Sequence, residues 1–359
     1  AGLATGPTPE GRIVTMRVAT DTSRREHAPA AAPATRRRRR SEQRAAFFFL
    51  LPLIAIFAAF YLWPAFNTGA SSFFRWGLLQ PWKLTRPGQW DFVGVHNYAA
   101  TLSDHDFWTA AVNTLIWLIV FPLLVTASSL LMSILIWYTS LGRGFFRSVF
   151  VLPMTISLAA TGVIWSFVYN PDSDVGVLNA FLKLTHLNFA VDWGPVTFRT
   201  GEWLSNVGVI HLGFADLRLT NLSLIVPAVW AFAGFGVITF TAGLTSVSHD
   251  LVEAARVDGA RAREVVRYVL LPALRRPLVI VLVISVIFAL RVFDIVFVMT
   301  QGGPAQDTQV LALLLWQQAF AFIDSPQGGL AAALAVLMSV TLIAGGYPYL
   351  RAMTRRGRR

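Results

Sequence analysis

Asp104, His105 and Asp106 set a carboxylate, an imidazole and a carboxylate side by side, the donor types that hold a divalent metal. Three consecutive residues ahead of an apolar segment read instead as a helix cap, no His-Glu-x-x-His spacing occurs, and no metal site is expected. Arg291 and Asp294 are opposite charges one helical step apart in an otherwise apolar segment, expected either to pair with each other or to serve a proton-coupled step. A phosphate-cradling loop needs Gly-Lys-Ser/Thr, yet the only lysines are Lys83 and Lys183, and neither follows a glycine. Cysteine is absent, which removes thiolate nucleophiles, thiolate metal sites and disulfides. Nothing assembles a nucleophile, a base and an orienting group, so no enzyme is expected and the catalytic residue set is empty. A charged, arginine-rich run, SHDLVEAARVDGARAREVVRYVLLPALRRP, Ser248 to Pro277, lies between two long apolar segments.

These residues need elements to hold them, and composition says of what kind. Of 359 residues 55% are hydrophobic and only 14% charged, with a mean hydropathy of +0.56, well outside the range of a soluble domain. An all-α integral membrane protein is expected. Six segments have the length a bilayer crossing needs, at roughly 46–66, 111–138, 146–169, 222–245, 277–299 and 329–352. Residues 1–45, rich in Ala, Pro and Arg, read as a disordered tail, with Met16 as an alternative start. The apolar run after the arginines is too long for a signal peptide and reads as an uncleaved first span. The stretches 67–110 and 170–221 read as ordered extramembrane loops.

Positive charge fixes the orientation. The tail holds ten Arg, the 139–147 turn two, the 248–277 run six and the C-terminal segment, with the basic tail 353–359, five. The opposite side holds only Arg75, Lys83, Arg86, Lys183, Arg199 and Arg218. Cytoplasmic loops retain positive charge, so the N-terminus and the C-terminus are both expected inside. The net charge of +11 is then topological and calls for no nucleic acid.

Within the polar run, DLVEAARVDG is a short helix with an acid near its start and Gly259 at its end. Paired Ala254 and Ala255 let a partner's surface come close. An amphipathic helix lying on the membrane surface is the competing reading. The spacing Glu253-Ala254-Ala255, three residues, Gly259, nine residues, then Val269 to Pro272 resembles the EAA loop of ABC importer permeases, with Val in place of Ile. FVGVHNY (92–98), FW then NTLIW (107–117), GRGFFRSVFVLPMTIS (142–157), GVIWSFVYNP (162–171) and FDIVFVMTQGGP (293–304) occur in order, and together they look like carbohydrate-uptake permeases of the MalF-like type.

The resemblance implies the type I ABC importer permease fold and a coupling loop over 246–276. It implies that Glu253, Ala254, Ala255, Asp258, Gly259 and Pro272 engage a cytosolic ATPase subunit, with a pair to Arg256 or Arg261 as the alternative for Glu253. Ala228, Phe232 and Phe235 share one face of the fourth span, and Ser285, Phe288, Ala289 and Val292 one face of the fifth. By periodicity alone such stripes are packing. The resemblance makes them, with Arg291 and Asp294, candidates for the solute pathway, where rings stack on a sugar and hydroxyls bind it. Ala289 and Val292 depart from the amide-bearing positions of maltose-specific members.

The reading that follows is a permease subunit in a bacterial cytoplasmic membrane, importing a di- or oligosaccharide such as an α-glucoside. The partners implied are a second permease, an ATPase dimer that binds ATP and Mg, and an extracytoplasmic solute-binding protein, with no cofactor on this chain. An ion-coupled secondary transporter using Arg291 and Asp294 is the alternative.

Overall fold

A computed structural model describes residues 36–77, 79, 82–83, 91–139, 142–187, 190–193, 196–205, 208–211, 216–321 and 327–356. Of the tail expected to be disordered over 1–45, residues 1–35 lie outside the described residues, as do the last three residues of the basic end, and residues 36–45 are helical. The chain divides into two units at Trp63. The first contributes helix α1, Arg36–Phe57, and a π turn, Ala58–Leu62. The helix begins before the apolar segment because Arg, Glu, Gln and Ala are good helix formers. Every side chain from Phe47 to Phe57 is exposed.

The second unit opens at Pro64, the second residue of α2, Trp63–Ser71, and continues through a two-stranded pairing of β1 (Phe74–Arg75) with β2 (Asp91–Phe92) and α3, His96–Ser103. Helix α4, His105–Tyr138, follows; its 34 residues span about 51 Å at the α-helical rise. Asp104 accepts a hydrogen bond from the backbone N–H of Asp106 at 3.0 Å, so the Asp-His-Asp run caps this helix. Next come α5 (Arg143–Val151), a 3-10 turn (Leu152–Thr155) and α6 (Leu158–Val168). Pro153 and the extended residues Ile156 and Ser157 break the expected third span, and its halves meet at 103°. After α7, Val177–Thr185, strands β3 (Ala190–Trp193), β4 (Val196–Arg199), β5 (Gly208–His211) and β6 (Asp216–Arg218) form an antiparallel meander.

Helix α8, Thr220–Thr245, packs along α4. Small residues allow the approach: Ser129 Oγ donates to the Ala233 carbonyl at 2.9 Å, and a Cβ at Gly236 would collide with Ser129. The polar run folds as α9 (His249–Val257), α10 (Ala262–Val265), a π turn (Val266–Leu270) and α11 (Leu271–Ala273). It meets α12, Arg275–Leu290, at 68°. The chain ends through α13 (Asp294–Met299), α14 (Leu311–Trp316) with a π turn (Gln317–Ala321), and α15 (Gly328–Arg356).

Among the described residues three helices are long and apolar enough to cross a membrane, or up to five if each bent pair is one span. The described apolar part of the sixth expected span, Gly328–Ala344, is shorter. The core lies where α4, α8 and α12 meet, around Trp117, Phe121, Leu224, Phe240, Val281 and Ala289.

Candidate functional site

Helix α4 touches the 300–309 loop at one end and the 248–277 run at the other. In its first turns, Asn113 Nδ2 donates to the carbonyls of Asp307 (3.0 Å) and Gln309 (2.9 Å), and Thr114 Oγ1 accepts from the backbone N–H of Leu311 at 3.0 Å. Asn221, in the first turn of α8, donates to Asn113 Oδ1 at 3.0 Å and to the same Asp307 carbonyl at 3.3 Å. Arg218 closes the junction with a 3.3 Å contact to the Asp307 carboxylate. These bonds hold the loop 300–309, whose backbone takes positive φ at Gln301, Gly302, Ala305 and Gln306. In its last turn α4 meets the polar run: Trp137 stacks on His249 at 6.3 Å, and the Tyr138 hydroxyl reaches the Ala262 carbonyl at 3.4 Å.

The polar run presents a short helix to solvent. Ser248 caps α9 by accepting from the Asp250 N–H at 3.2 Å, with Asp250 in the first turn and Arg256 in the last, as the helix dipole favours. Val252 is the buried anchor of α9, and Ala255 packs half-buried against the core. Glu253, Ala254, Asp258 and Gly259 are exposed, as is Pro272. Gly259 has φ +88°, a left-handed conformation that ends the helix, and a Cβ there would meet nothing within 4 Å. Glu253 forms no ion pair with Arg256 or Arg261. Instead Glu264 accepts from the backbone N–H of Arg261 at 2.6 Å, so a different acid stabilises the turn.

The residues expected to line the solute pathway separate into those the fold gathers and those it does not. Ala228, Phe232 and Phe235 share α8 with Ala228 fully buried and the two rings half-buried. Ser285, Phe288 and Ala289 lie on α12. Phe232 and Phe288 come together at 5.0 Å and Phe232 and Phe235 at 5.6 Å. Ser285 is fully buried and its hydroxyl has no hydrogen-bond partner.

Helix α12 ends at Leu290, so Val292 is buried beyond it and off its phasing. Arg291 caps that helix at φ −104°, Phe293 breaks the chain at φ −141°, ψ −59°, and Asp294 opens α13. The expected single span 277–299 is therefore two helices. Arg291 and Asp294 do not share a helical step, both are exposed, and they form no ion pair.

Sequence patterning did not find Trp117, Phe121, Asn113, Asn221 or Asp307. An asparagine inside an apolar segment is a polar signal in a membrane chain, and Asn113 carried it. Phe121 offered none, because an aromatic on an apolar helix is ordinary.

A family model described as a binding-protein-dependent transport system inner membrane component matches residues 45–356. The chain is 28% identical to the trehalose/maltose transport system permease protein MalF of Thermococcus litoralis, over 84% of this chain and 91% of that protein. A crystal structure of a bacterial ABC transporter that imports the acidic polysaccharide alginate has a chain with TM-score 0.68 at 20% identity, covering 88% of this chain and 96% of that one. A second structure, of a bacterial alginate ABC transporter with an alginate pentasaccharide-bound periplasmic protein, gives TM-score 0.64 at 18% identity, with coverages of 85% and 92%.

Proposed function

This chain belongs to the family of binding-protein-dependent transport system inner membrane components, and from that premise we propose that it is the sugar-importing permease subunit of an ATP-driven transporter. The observation that carries the reading is the exposed helix α9. It is anchored by Val252, ends in the left-handed Gly259, and presents an exposed Glu253, which forms no ion pair among the described residues, beside Ala254. Coupling is assigned to Glu253, Ala254, Ala255, Asp258, Gly259 and Pro272, which take up the movement of a partner ATPase and pass it to α4 through Trp137 and Tyr138. Hydrolysis belongs to that partner, with ATP and Mg, because neither Lys83 nor Lys183 follows a glycine.

Six spans with both ends in the cytoplasm, in a bacterial inner membrane, complete the reading. It is supported by the arginine distribution and by counting the two bent pairs and α15 as spans. A solute-binding protein is the remaining partner that the family's description supports, and a second permease completes the proposed assembly. The solute passes Ala228, Phe232, Phe235, Ser285, Phe288, Ala289 and Val292. Residues 107–138, 220–245 and 277–290, which surround these positions, contain no charged residue. An unpaired charge away from water costs several kcal/mol, so a neutral di- or oligosaccharide fits and an anionic one finds no counter-charge on these helices. The carboxylate and guanidinium that an ion-coupled route would need, Asp294 and Arg291, stand apart at a helix break.

Uptake of radiolabelled maltose and trehalose by cells expressing the whole importer tests this. Uptake that stops on ATP depletion and continues with a protonophore, while ATP is maintained, is expected. Uptake that follows the proton gradient and ignores ATP would transfer the assignment to a secondary transporter.

A further inference from the structure

Phe121 lies on α4, the helix whose ends hold the 300–309 loop and the coupling run. Its ring is fully buried and stacks on Phe288 at 4.9 Å with an interplanar angle of 27°. It also meets Phe232 at 5.6 Å, and Phe232 and Phe288 are 5.0 Å apart, so three rings from three helices close into a triangle. A sugar binds an aromatic side chain by laying its C–H face on the ring. Phe121 covers that face of Phe288.

Two buried donors flank the triangle. One turn before Phe121, the Trp117 indole is fully buried, packs 6.0 Å from the Phe121 ring, and its Nε1–H has no acceptor. One turn before Phe288, the fully buried Ser285 hydroxyl has no partner either. Eight buried side-chain polar atoms lack a hydrogen-bond partner among the described residues, and these two are the ones within one helical turn of a ring of the triangle, where a polar ligand would complete them. Residue 122 is proline, buried within α4. It leaves the Leu118 carbonyl without its helical donor and gives the helix a point of flexure beside Phe121.

We propose that Phe121 is the gate of the solute pathway, a ring that stands in for a pyranose on Phe288 until flexure of α4 withdraws it. Withdrawal exposes the Phe288 face for stacking and offers Trp117 Nε1–H and Ser285 Oγ to hydroxyls of a neutral sugar. The flexure is driven from either end of α4, by the loop at Asn113 or the coupling helix at Trp137. This rests on the transport reading above, in which the solute passes between α8 and α12.

The chain has no cysteine, so Ser285→Cys gives this chain, within the assembled importer, a single, nearly isosteric reporter. The purified complex in proteoliposomes is treated with a methanethiosulfonate trimethylammonium reagent, and labelling is read from the mass of this chain. Ser285→Cys is expected to be protected at rest and labelled about tenfold faster or more when ATP, vanadate and the binding protein trap the opposite state, as a shift from a minor open population to a dominant one requires. Adding Phe121→Ala is expected to raise the resting rate to the trapped rate while a Val281→Cys reporter on α12 stays protected. If the alanine variant does not assemble, Phe121→Leu keeps most of the bulk and is expected to give a smaller increase in the same direction. Equal rates in both states of a complex that hydrolyses ATP would overturn the gate, and so would a resting rate that Phe121 substitution leaves unchanged. Equal exposure of the Val281→Cys reporter would also overturn it, as a general loosening. Absence of ATP hydrolysis by the purified assembly, seen before any labelling, would instead remove the transport reading and the gate together.

Discussion

At Gly259 a single backbone angle separates two ways a substitution can fail. Its φ of +88° costs a β-carbon-bearing residue about 1–2 kcal/mol, but Asn and Asp tolerate that region better than others. Nothing lies within 4 Å of the position a Cβ would take, so bulk alone does no harm within this chain. Gly259→Asp and Gly259→Asn therefore differ chiefly in charge. Asp adds a carboxylate beside Asp258 at the negative end of α9, on the surface assigned to the ATPase. Uptake should be abolished by Asp and largely retained with Asn, with both variants at normal membrane levels by immunoblot; equal loss would assign the defect to backbone geometry. The short helix and its glycine stop were legible in the sequence because their information is local: a cap, two alanines and a glycine within some twelve residues. The triangle of Phe121, Phe232 and Phe288 was not, because its third ring comes from a helix more than a hundred residues away in sequence, and no periodicity encodes that contact.

Among elements, the break after α12 shows what periodicity cannot supply. Residues 277–299 read as one apolar span, and the stretch Arg-Val-Phe-Asp carries neither glycine nor proline to announce a stop. The chain breaks there nonetheless, and the following loop is held by tertiary hydrogen bonds from α4 and α8. Two kinds of bond compete to hold it. The Asn113 and Asn221 amides are buried, and removing one leaves carbonyls unpaired at a cost of about 1–3 kcal/mol. The Arg218–Asp307 pair is partly exposed, with side chains 39% and 24% accessible, so screening keeps its contribution below about 1 kcal/mol. Asn113→Leu should accordingly lower the thermal midpoint of the detergent-solubilised protein clearly more than Arg218→Gln does, as followed by differential scanning fluorimetry. The reverse order would mean that the ion pair, not the amide junction, fixes the loop.

On the scale of the whole molecule, α4 links the parts. Its first turns hold the 300–309 loop, its middle carries Phe121, stacked on Phe288, and Pro122, and its last turn touches α9 and α10. A helix so placed relates events at one end of the bundle to events at the other. Membrane class was legible from apolar length, which reports on the bilayer and not on packing; the proposed orientation rests on arginine placement alone. The bends of 103° and 68° were not, because they depend on how half-helices pack against α8 and α4. The central claim is that this chain works as one subunit of an ATP-driven importer. It is tested most directly by tagging the chain, extracting it from its native membrane in mild detergent and identifying what co-purifies by mass spectrometry. The account predicts an ATPase subunit and a second permease, with a solute-binding protein retained under the mildest conditions. Recovery of this chain alone, under conditions that keep another ABC importer intact, would contradict it.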